Sequence, residues 1–206
     1  MAAAPDLTPQ RILDAVGQLY PTRGYRGTSV SEIAKIVGIT PAALYYHFPS
    51  KAEIFAAFLE ESISSFVAGM EALRRGESPS DDLYAVVHAH VLSQLKVIDR
   101  LSPLSTTTAM TQLVAELPSA LEQRVRKVER GYLELLQAII IQGNAEGTFD
   151  VDQVIPTVFA LINLSEYVIT WFRPDGLLSP EDVAHHHACL ALRMVGATKP
   201  AQRRKR

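Results

Sequence analysis

Hydrophobic and polar residues recur with a helical period along almost the whole chain. Apolar residues return three and four positions apart, and no segment shows the sustained two-residue alternation, bounded by hairpin turns, that is typical of strands. A first helix is predicted from Thr8 to Thr22, ending before Gly24. Its apolar stripe comprises Ile12, Val16, Leu19 and Tyr20. The pattern predicts an all-α protein.

Two short helices separated by three residues follow. Ser29 and Glu32 form a capping box, which satisfies free amide groups at the start of a helix. Gly38 can end that helix because glycine reaches the left-handed conformation without steric cost. Thr40 then caps a third helix, predicted over 42–48 and opened by a proline. This is the spacing of a helix-turn-helix.

The rest of the chain predicts longer helices. Ser50 and Glu53 form a second capping box and open a fourth helix, which is predicted to end near Gly76. Its stripe comprises Ile54, Phe58, Ile63, Phe66, Met70 and Leu73. Gly147 is placed to end a long helix, with Phe149 supplying the accompanying apolar contact. The later helices are predicted at about 81–99, 105–116, 119–146, 152–172 and 180–195.

Composition and charge narrow the class of protein. With 206 residues, 48% of them hydrophobic and 20% charged, the chain can build a substantial core and is not a disordered chain. The net charge of -2 is unevenly spread, with +2 over residues 1–51, -8 over 52–202 and +4 over 203–206. An anionic partner is therefore expected to bind at an end of the chain.

The sequence favours a cytoplasmic protein without membrane contact. Its apolar runs are shorter than the ~20 residues needed to cross a bilayer, and residues 1–10 lack the basic and apolar regions of a secretory signal. Cys189 is the only cysteine, so an internal disulfide is excluded and a reducing compartment is expected.

The helix-turn-helix residues carry a resemblance to a known family. The stretch Gly27 to Ala34, the turn Gly38 to Thr40 and the segment Ala43 to Lys51, read as ALYYHFPSK, resemble the DNA-binding domain of the TetR/AcrR family of bacterial transcriptional regulators. A dozen positions agree in type and spacing. The resemblance implies a repressor more often than an activator, with a double-stranded, palindromic DNA operator as its partner.

The same resemblance implies a division of the chain. Residues 1–51 are predicted to form a three-helix, helix-turn-helix DNA-binding domain, and 52–76 a connecting helix. Residues 77–198 are predicted to form a C-terminal helical bundle for ligand binding and dimerisation. Residues 199–206 are predicted to be a basic, disordered tail.

The candidate DNA contacts lie around the third helix. By resemblance, Tyr45, His47 and Lys51 contact phosphates, and Thr40, Ala42 and Ala43 face bases or thymine methyl groups. Ser29 and Ser31 are implied to contact the backbone or base edges, and Tyr46 is a further large polar side chain left to reach the backbone. Leu44 and Phe48, four residues apart, are expected to be the buried face, although core packing of one of the tyrosines remains an alternative.

The predicted recognition helix contains no Arg, Lys, Asn or Gln, the side chains that make bidentate contacts with bases. Sequence specificity is therefore expected to depend on methyl contacts and DNA shape. The arm before the first helix has Asp6 as its only charged side chain, which argues against a minor-groove arm.

A homodimer is expected, because a single helix-turn-helix buries little DNA. Such proteins usually bind as dimers across two half-sites that lie ~34 to 36 Å, or a multiple of it, apart along DNA. The predicted helix over 152–172 is apolar nearly all round, so one side can face its own domain and the other a second copy. The last helix offers a matching stripe of Val183, His187, Leu190, Leu192, Met194 and Val195. A monomeric bundle remains the alternative.

A bundle that mixes apolar residues with a few polar ones favours a small-molecule effector site. The candidates on stretches expected to face inward are His88, Leu92, Met110, Thr111, Tyr132, Leu136, Asn163, Glu166, Tyr167 and Trp171. Side chains such as Tyr132, Met110 and Trp171 are more often core residues than pocket residues, and Glu166 can instead bridge to Arg173 or to a neighbouring chain.

The pattern favours a largely apolar effector. Two alternatives stay open. The turn Trp171 to Pro174 resembles one in family members that sense acyl-CoA esters, and a regulator controlled by protein contacts alone needs no small effector.

No catalytic or cofactor site is predicted. His185, His186 and His187 point ~100° apart on a helix and cannot converge on one metal ion, and His88 and His90 fail the same test. Cys189 is expected to be a buried, inert thiol. Phosphate-binding loops, nucleophile elbows and zinc-protease motifs are missing from the sequence, so we expect neither an enzyme nor a cofactor.

Overall fold

The computed structural model describes residues 8–98 and 107–197, without the side chains of 97, 98 and 107–111. Within those ranges all regular structure is helical, with nine α-helices and one short 3-10 helix. The all-α prediction is confirmed. The predicted tail, 199–206, lies outside the described residues. Over the described part of the chain, no helix has both the length and the apolar character needed to cross a bilayer.

The chain folds into two compact units. The first takes its described residues from 1–64 and 104–128, and the second from 65–103 and 129–206. The helices that begin in the first unit are α1 (Thr8–Gly27), α2 (Val30–Val37), α3 (Pro41–His47), α4 (Lys51–Glu71), α6 (Thr107–Glu116) and α7 (Ser119–Ala145). Both α4 and α7 continue into the second unit.

The core of the first unit includes a part of the chain that the predicted boundary near residue 76 assigns to the other domain. Leu113 on α6, Leu117 just after it, and Leu121 and Val125 on α7 belong to the same buried cluster as Ile12 and the other apolar residues of α1 to α4. Sequence periodicity gives the apolar face of a helix but not the distant helix that covers it, so this packing could not be predicted.

The second unit is a bundle. It contains α5 (Pro79–Ile98), α8 (Val154–Glu166), a 3-10 helix (Tyr167–Thr170) and α9 (Pro180–Met194), together with the C-terminal parts of α4 and α7. The fully buried residues of its core include Leu83, Val86, Leu136, Ile139, Ile140 and Leu161. These side chains come from α5, α7 and α8, which therefore surround a common core.

The predicted helix ends are confirmed where capping residues mark them. Gly38 ends α2 with φ of 79°, and Thr40 accepts a hydrogen bond from the first turn of α3. After α7, Gly147 has φ of 68° and the N–H of Phe149 donates to the carbonyl of Gly143 at 3.1 Å. A Cβ on Gly143 would lie 2.1 Å from the Phe149 ring, so glycine permits this contact.

Three helix ends differ from the prediction. The first helix continues to Gly27 across a non-helical break at Gly24, whose φ is 66°. The fourth ends at Glu71 rather than near Gly76, which leaves Leu73 exposed beyond it. The Asp82 carboxylate accepts the N–H groups of residues 75 and 76, at 2.9 and 3.1 Å, and so holds this segment at the start of α5.

The third difference concerns the predicted helix over 152–172, which is wrong at its C-terminal end. Regular α-helix stops at Glu166, and Tyr167–Thr170 form a 3-10 helix. The segment stays apolar through this change and has no side-chain cap, so nothing in the periodicity marks it.

Candidate DNA interface and effector site

Helix α2, the helix before α3, is held at both ends by hydrogen bonds. The Ser29 hydroxyl accepts the Glu32 N–H at 3.2 Å, and the Glu32 carboxylate accepts the Ser29 N–H at 3.1 Å. Hydrogen bonding to Ser29 and Arg23 lowers the pKa of Glu32, the Ser29 bonds contributing most. The Arg11 guanidinium donates to the carbonyl of Val37 at 2.6 Å, at the end of α2. Both ends of α2 are therefore fixed.

Helix α3 is anchored by one side and exposed on the other. Leu44 is fully buried in the first unit, while Ala42 and Ala43 are exposed. The hydroxyl of Thr40 accepts the N–H of Ala43 at 3.1 Å. The exposed face of α3 is therefore narrow, as the entry of a helix into a major groove ~12 Å wide requires.

The two tyrosines on α3 both face solvent. Tyr46 is 88% exposed and Tyr45 is 47% exposed, so the alternative of core packing is wrong for both in this chain. The ring of His47 meets that of Tyr46 edge to face, with centroids 5.5 Å apart. Ser29 and Ser31 are also exposed, so these predicted contacts lie on accessible surface of the first unit.

Lys51 is more enclosed than its predicted role suggests. Its Nζ lies 4.5 Å from the centroid of the Tyr25 ring and 5.9 Å from that of Phe55. Burial lowers the pKa of Lys51, against the opposite effect of Glu116. An ammonium carries three donors, so a cation–π contact still leaves donors for a phosphate.

A polar group lies inside the second unit. His90 on α5 and Tyr132 on α7 are both buried, and the His90 Nδ1 and the Tyr132 hydroxyl oxygen are 2.8 Å apart. The amide Nε2 of Gln94 lies 3.2 Å from the His90 Nε2. The ring of Phe66, on α4, meets both aromatic rings edge to face, with centroids 5.0 Å from His90 and 5.1 Å from Tyr132.

Burial controls ionisation in this group. It lowers the pKa of His90 to about 3, so the ring is neutral at pH 7. Burial, and then the nearby Glu166 carboxylate, raises the pKa of Tyr132. The pKa of Glu166 is itself raised by burial and then by Glu129. Perturbed ionisable groups in an apolar bundle are typical of binding sites.

The structure brings only part of the predicted effector set together. Tyr132 and Leu136 are buried, and Leu92 and Glu166 are half-buried. The inward orientation predicted for Asn163, Tyr167 and Trp171 is wrong, because all three are exposed. The side chains of Met110 and Thr111 lie outside the described residues.

His88 faces α9 rather than the polar group. Its Nε2 lies 3.1 Å from Glu181, and its ring stacks on that of Tyr84. The inward position belongs instead to His90, which the prediction did not include. The signal was present, because His90 follows Val86 and Val87 by four and three residues on the buried stripe of α5.

The other histidines and the cysteine make local contacts. The Nδ1–H of His187, which is buried, donates to the carbonyl of Leu164 at 2.9 Å. Cys189 is half-buried, so the prediction of a buried thiol is wrong, and its Sγ lies 3.7 Å from the Nε2 of His185. Among the described residues, no group of three His, Cys, Asp or Glu side chains could hold a metal ion.

Large apolar side chains are exposed along the last two helices and the 3-10 segment between them. The set comprises Ile155, Phe159, Tyr167, Trp171 and Met194. Trp171 stacks on His187, with ring centroids 5.8 Å apart. Exposed apolar side chains of this size are typical of contact surfaces.

Two segments of the chain match known sequence families. Residues 12–58 match the family described as "Bacterial regulatory proteins, tetR family", and residues 76–195 match "Tetracyclin repressor-like, C-terminal domain". The chain is 26% identical to the fatty acid metabolism regulator protein of Bacillus subtilis, covering 80% of this chain and 84% of that one. It is 25% identical to the HTH-type transcriptional repressor KstR2 of Mycolicibacterium smegmatis, covering 92% and 94%.

A solved structure shares the fold. The transcriptional regulator FadR from Bacillus subtilis, in complex with stearoyl-CoA, superposes with a TM-score of 0.73 at 20% identity, covering 92% of this chain and 99% of that one.

Proposed function

The chain belongs to the TetR family of bacterial regulatory proteins, and from that premise we propose which of its residues bind DNA, hold the dimer and receive the effector. It is a DNA-binding transcriptional repressor that responds to a ligand. The observation that carries the proposal is the anchored, narrow helix α3 with its exposed tyrosines.

The proposed DNA contacts divide by chemistry. Tyr45, Tyr46, His47 and Lys51 contact phosphates and so provide affinity without sequence preference. Thr40, Ala42 and Ala43 approach bases, where small side chains meet thymine methyl groups. Ser29 and Ser31 contact the backbone or base edges beside them. Supporting this division, the exposed residues of α3 are short at its start and long at its end.

The proposed assembly is a homodimer on a palindromic operator. The exposed apolar residues of α8 and α9 support it, because a second copy can cover them with the same surface. An effector inside the second unit acts by tilting α4, which begins at Lys51, directly after α3. A changed separation of the two α3 helices no longer fits the ~34 Å repeat of the groove, and the operator is released.

The proposed effector is a largely apolar molecule that binds in the second unit. The mixture of apolar core residues with His90, Tyr132 and Glu166 supports this site. Fatty acyl compounds are the first probes, because one relative is named for fatty acid metabolism.

Operator binding tests the DNA contacts. Labelled DNA from upstream of the protein's own gene is titrated with the wild type and with Tyr45→Phe and Lys51→Gln. Loss of a phosphate hydrogen bond is expected to weaken binding about threefold to tenfold for the tyrosine variant. For the lysine variant, the slope of log affinity against log salt is expected to fall by about one.

Tyr84→Phe is the matched control, because it removes a tyrosine hydroxyl that lies in the second unit and is hydrogen-bonded to His185. Equal operator affinity for all four proteins at every salt concentration contradicts the proposed contacts.

A further inference from the structure

The three polar side chains inside the second unit form a hydrogen-bonded chain with a fixed direction. The Gln94 amide donates an N–H to the Nε2 of His90 at 3.2 Å. Because Nε2 accepts, the neutral ring carries its proton on Nδ1 and donates it to the Tyr132 oxygen, 2.8 Å away. The Tyr132 O–H then remains available as a donor, since His90 is its one hydrogen-bond partner within the described residues.

The chain ends in a neutral donor that lies near the Glu166 carboxylate. His90 is 2% exposed and Tyr132 is 7% exposed, so water has little access to either. The carboxylates that act on this region are Glu166, near Tyr132, and Glu129, near Glu166. Burial leaves both His90 and Tyr132 uncharged at neutral pH.

These surroundings discriminate between head groups. A buried hydroxyl donor favours an uncharged oxygen acceptor, such as the carbonyl of an ester, thioester or ketone, because such a group is cheap to desolvate. A free carboxylate costs more to bury, and it meets the like charge of Glu166 without a cation supplied by His90.

One wall of the site is formed by a side chain of α4. The Phe66 ring lies against both His90 and Tyr132 and belongs to α4, the helix that begins at Lys51 in the first unit. A ligand head group that accepts a hydrogen bond from the Tyr132 hydroxyl therefore contacts the His90–Tyr132 pair, against which Phe66 of α4 packs. The site therefore has a polar end that touches the helix assigned to signal transmission.

We infer that the Gln94–His90–Tyr132 chain is the polar end of the effector site and that it selects an uncharged oxygen acceptor, at the head of an apolar molecule, over the corresponding free acid. This inference rests on the proposed function, because it assumes that the effector enters the second unit. It adds the chemical class of the head group and the residue that recognises it.

The test compares an uncharged ester with the corresponding free acid. Methyl decanoate and decanoate are titrated into the full-length protein by calorimetry. Decanoyl-CoA is titrated as a thioester, and free CoA as its head group alone. The wild type is expected to bind the ester at least tenfold more tightly than the acid. Tyr132→Phe keeps the ring but loses the donor, and is expected to weaken ester binding about fivefold to twentyfold.

The matched control is Tyr84→Phe, which removes a hydroxyl bonded at 2.7 Å to a different histidine of the same unit. It is expected to bind the ester like the wild type. Should Tyr132→Phe fail to fold, Gln94→Leu is used, since loss of the amide donor frees the ring to take the other tautomer and weakens ester binding in the same direction.

The outcomes separate this inference from the proposed function. If decanoate binds as tightly as the ester and releases the operator, the repressor function stands and the inference is overturned. Equal ester affinities of Tyr132→Phe and Tyr84→Phe overturn the inference as well. Failure of every probe to bind also overturns it. If the ester binds through Tyr132 but the protein never binds DNA, the inference stands and the proposed function fails.

Discussion

His90 shows how a single side chain can weaken a fold and define a site. A neutral histidine in an apolar bundle makes hydrogen bonds that an apolar residue of the same size would not need. It also makes stability depend on pH, because its pKa in the folded protein is about 3, well below that of an unfolded histidine. Between about pH 6.5 and 3, the unfolded chain therefore binds a proton at His90 and the folded chain does not.

The free energy of unfolding is expected to fall as pH is lowered from about 6.5 toward about 3, by up to ~1.4 kcal/mol per pH unit from this group. His90→Gln is expected to flatten the curve by that amount over pH 6 to 4.5. The measurement is urea unfolding at several pH values. The raised pKa of Glu166 acts in the opposite direction but is present in both proteins.

His186→Gln serves as the control, because His186 is exposed. Parallel stability curves for wild type and His90→Gln contradict the assignment of a buried neutral ring.

The helices α4 and α7 are tied together by one arginine. Arg124 Nε and Nη2 donate to the two carboxylate oxygens of Glu60, both at 2.9 Å, and Nη1 donates to Glu53 at 2.9 Å. These hydrogen bonds raise the pKa of Arg124 above its ordinary value. Both helices continue into the second unit, so the arginine joins them at the end that carries the DNA-binding residues.

Arg124→Met is expected to lower the free energy of unfolding by about 1 kcal/mol, the upper range for an exposed pair, because a bidentate network exceeds a single contact. The coupling to Glu60 is measured by a double-mutant cycle with Glu60→Gln. Arg126→Met is the matched control, since its ion pair with Glu122 lies within one helix. A coupling energy near zero contradicts the proposed tie.

Sequence patterns predicted the elements that local chemistry controls. The capping box of Ser29 and the left-handed Gly38 are fixed by residues adjacent in sequence, so the helix-turn-helix could be placed closely. The end of α8 and the partners of Leu113 depend on packing between distant segments, which periodicity does not encode. The choice of His88 over His90 as the inward-facing residue was different, because the spacing of His90 from Val86 and Val87 already marked it as a buried position of α5.

The exposed apolar residues of α8, the 3-10 segment and α9 bear on how two copies assemble. Phe159 is 50% exposed and Trp171 is 49% exposed. Exposed aromatic side chains of this size are typical of contact surfaces. The predicted dimer covers them, and the two α3 helices can then bind both halves of a palindrome with greater avidity than one.

Phe159→Lys is expected to shift the protein to a monomer and to weaken operator binding more than tenfold, because a charge is placed in the proposed interface. Sedimentation velocity and the operator titration measure the two effects. Ile141→Lys is the control, as Ile141 is equally exposed but lies on α7. A variant that remains dimeric at micromolar concentration excludes this surface as the interface.

The chain contains a single tryptophan, and it sits on that exposed surface with its ring against an imidazole. Tryptophan fluorescence therefore comes from one known position, and no dye has to be attached to the protein. Protonation of His187, or exclusion of Trp171 from solvent by a second copy, is expected to change the wavelength and intensity of this fluorescence. The fluorescence of Trp171 is therefore expected to report the proposed association of two copies.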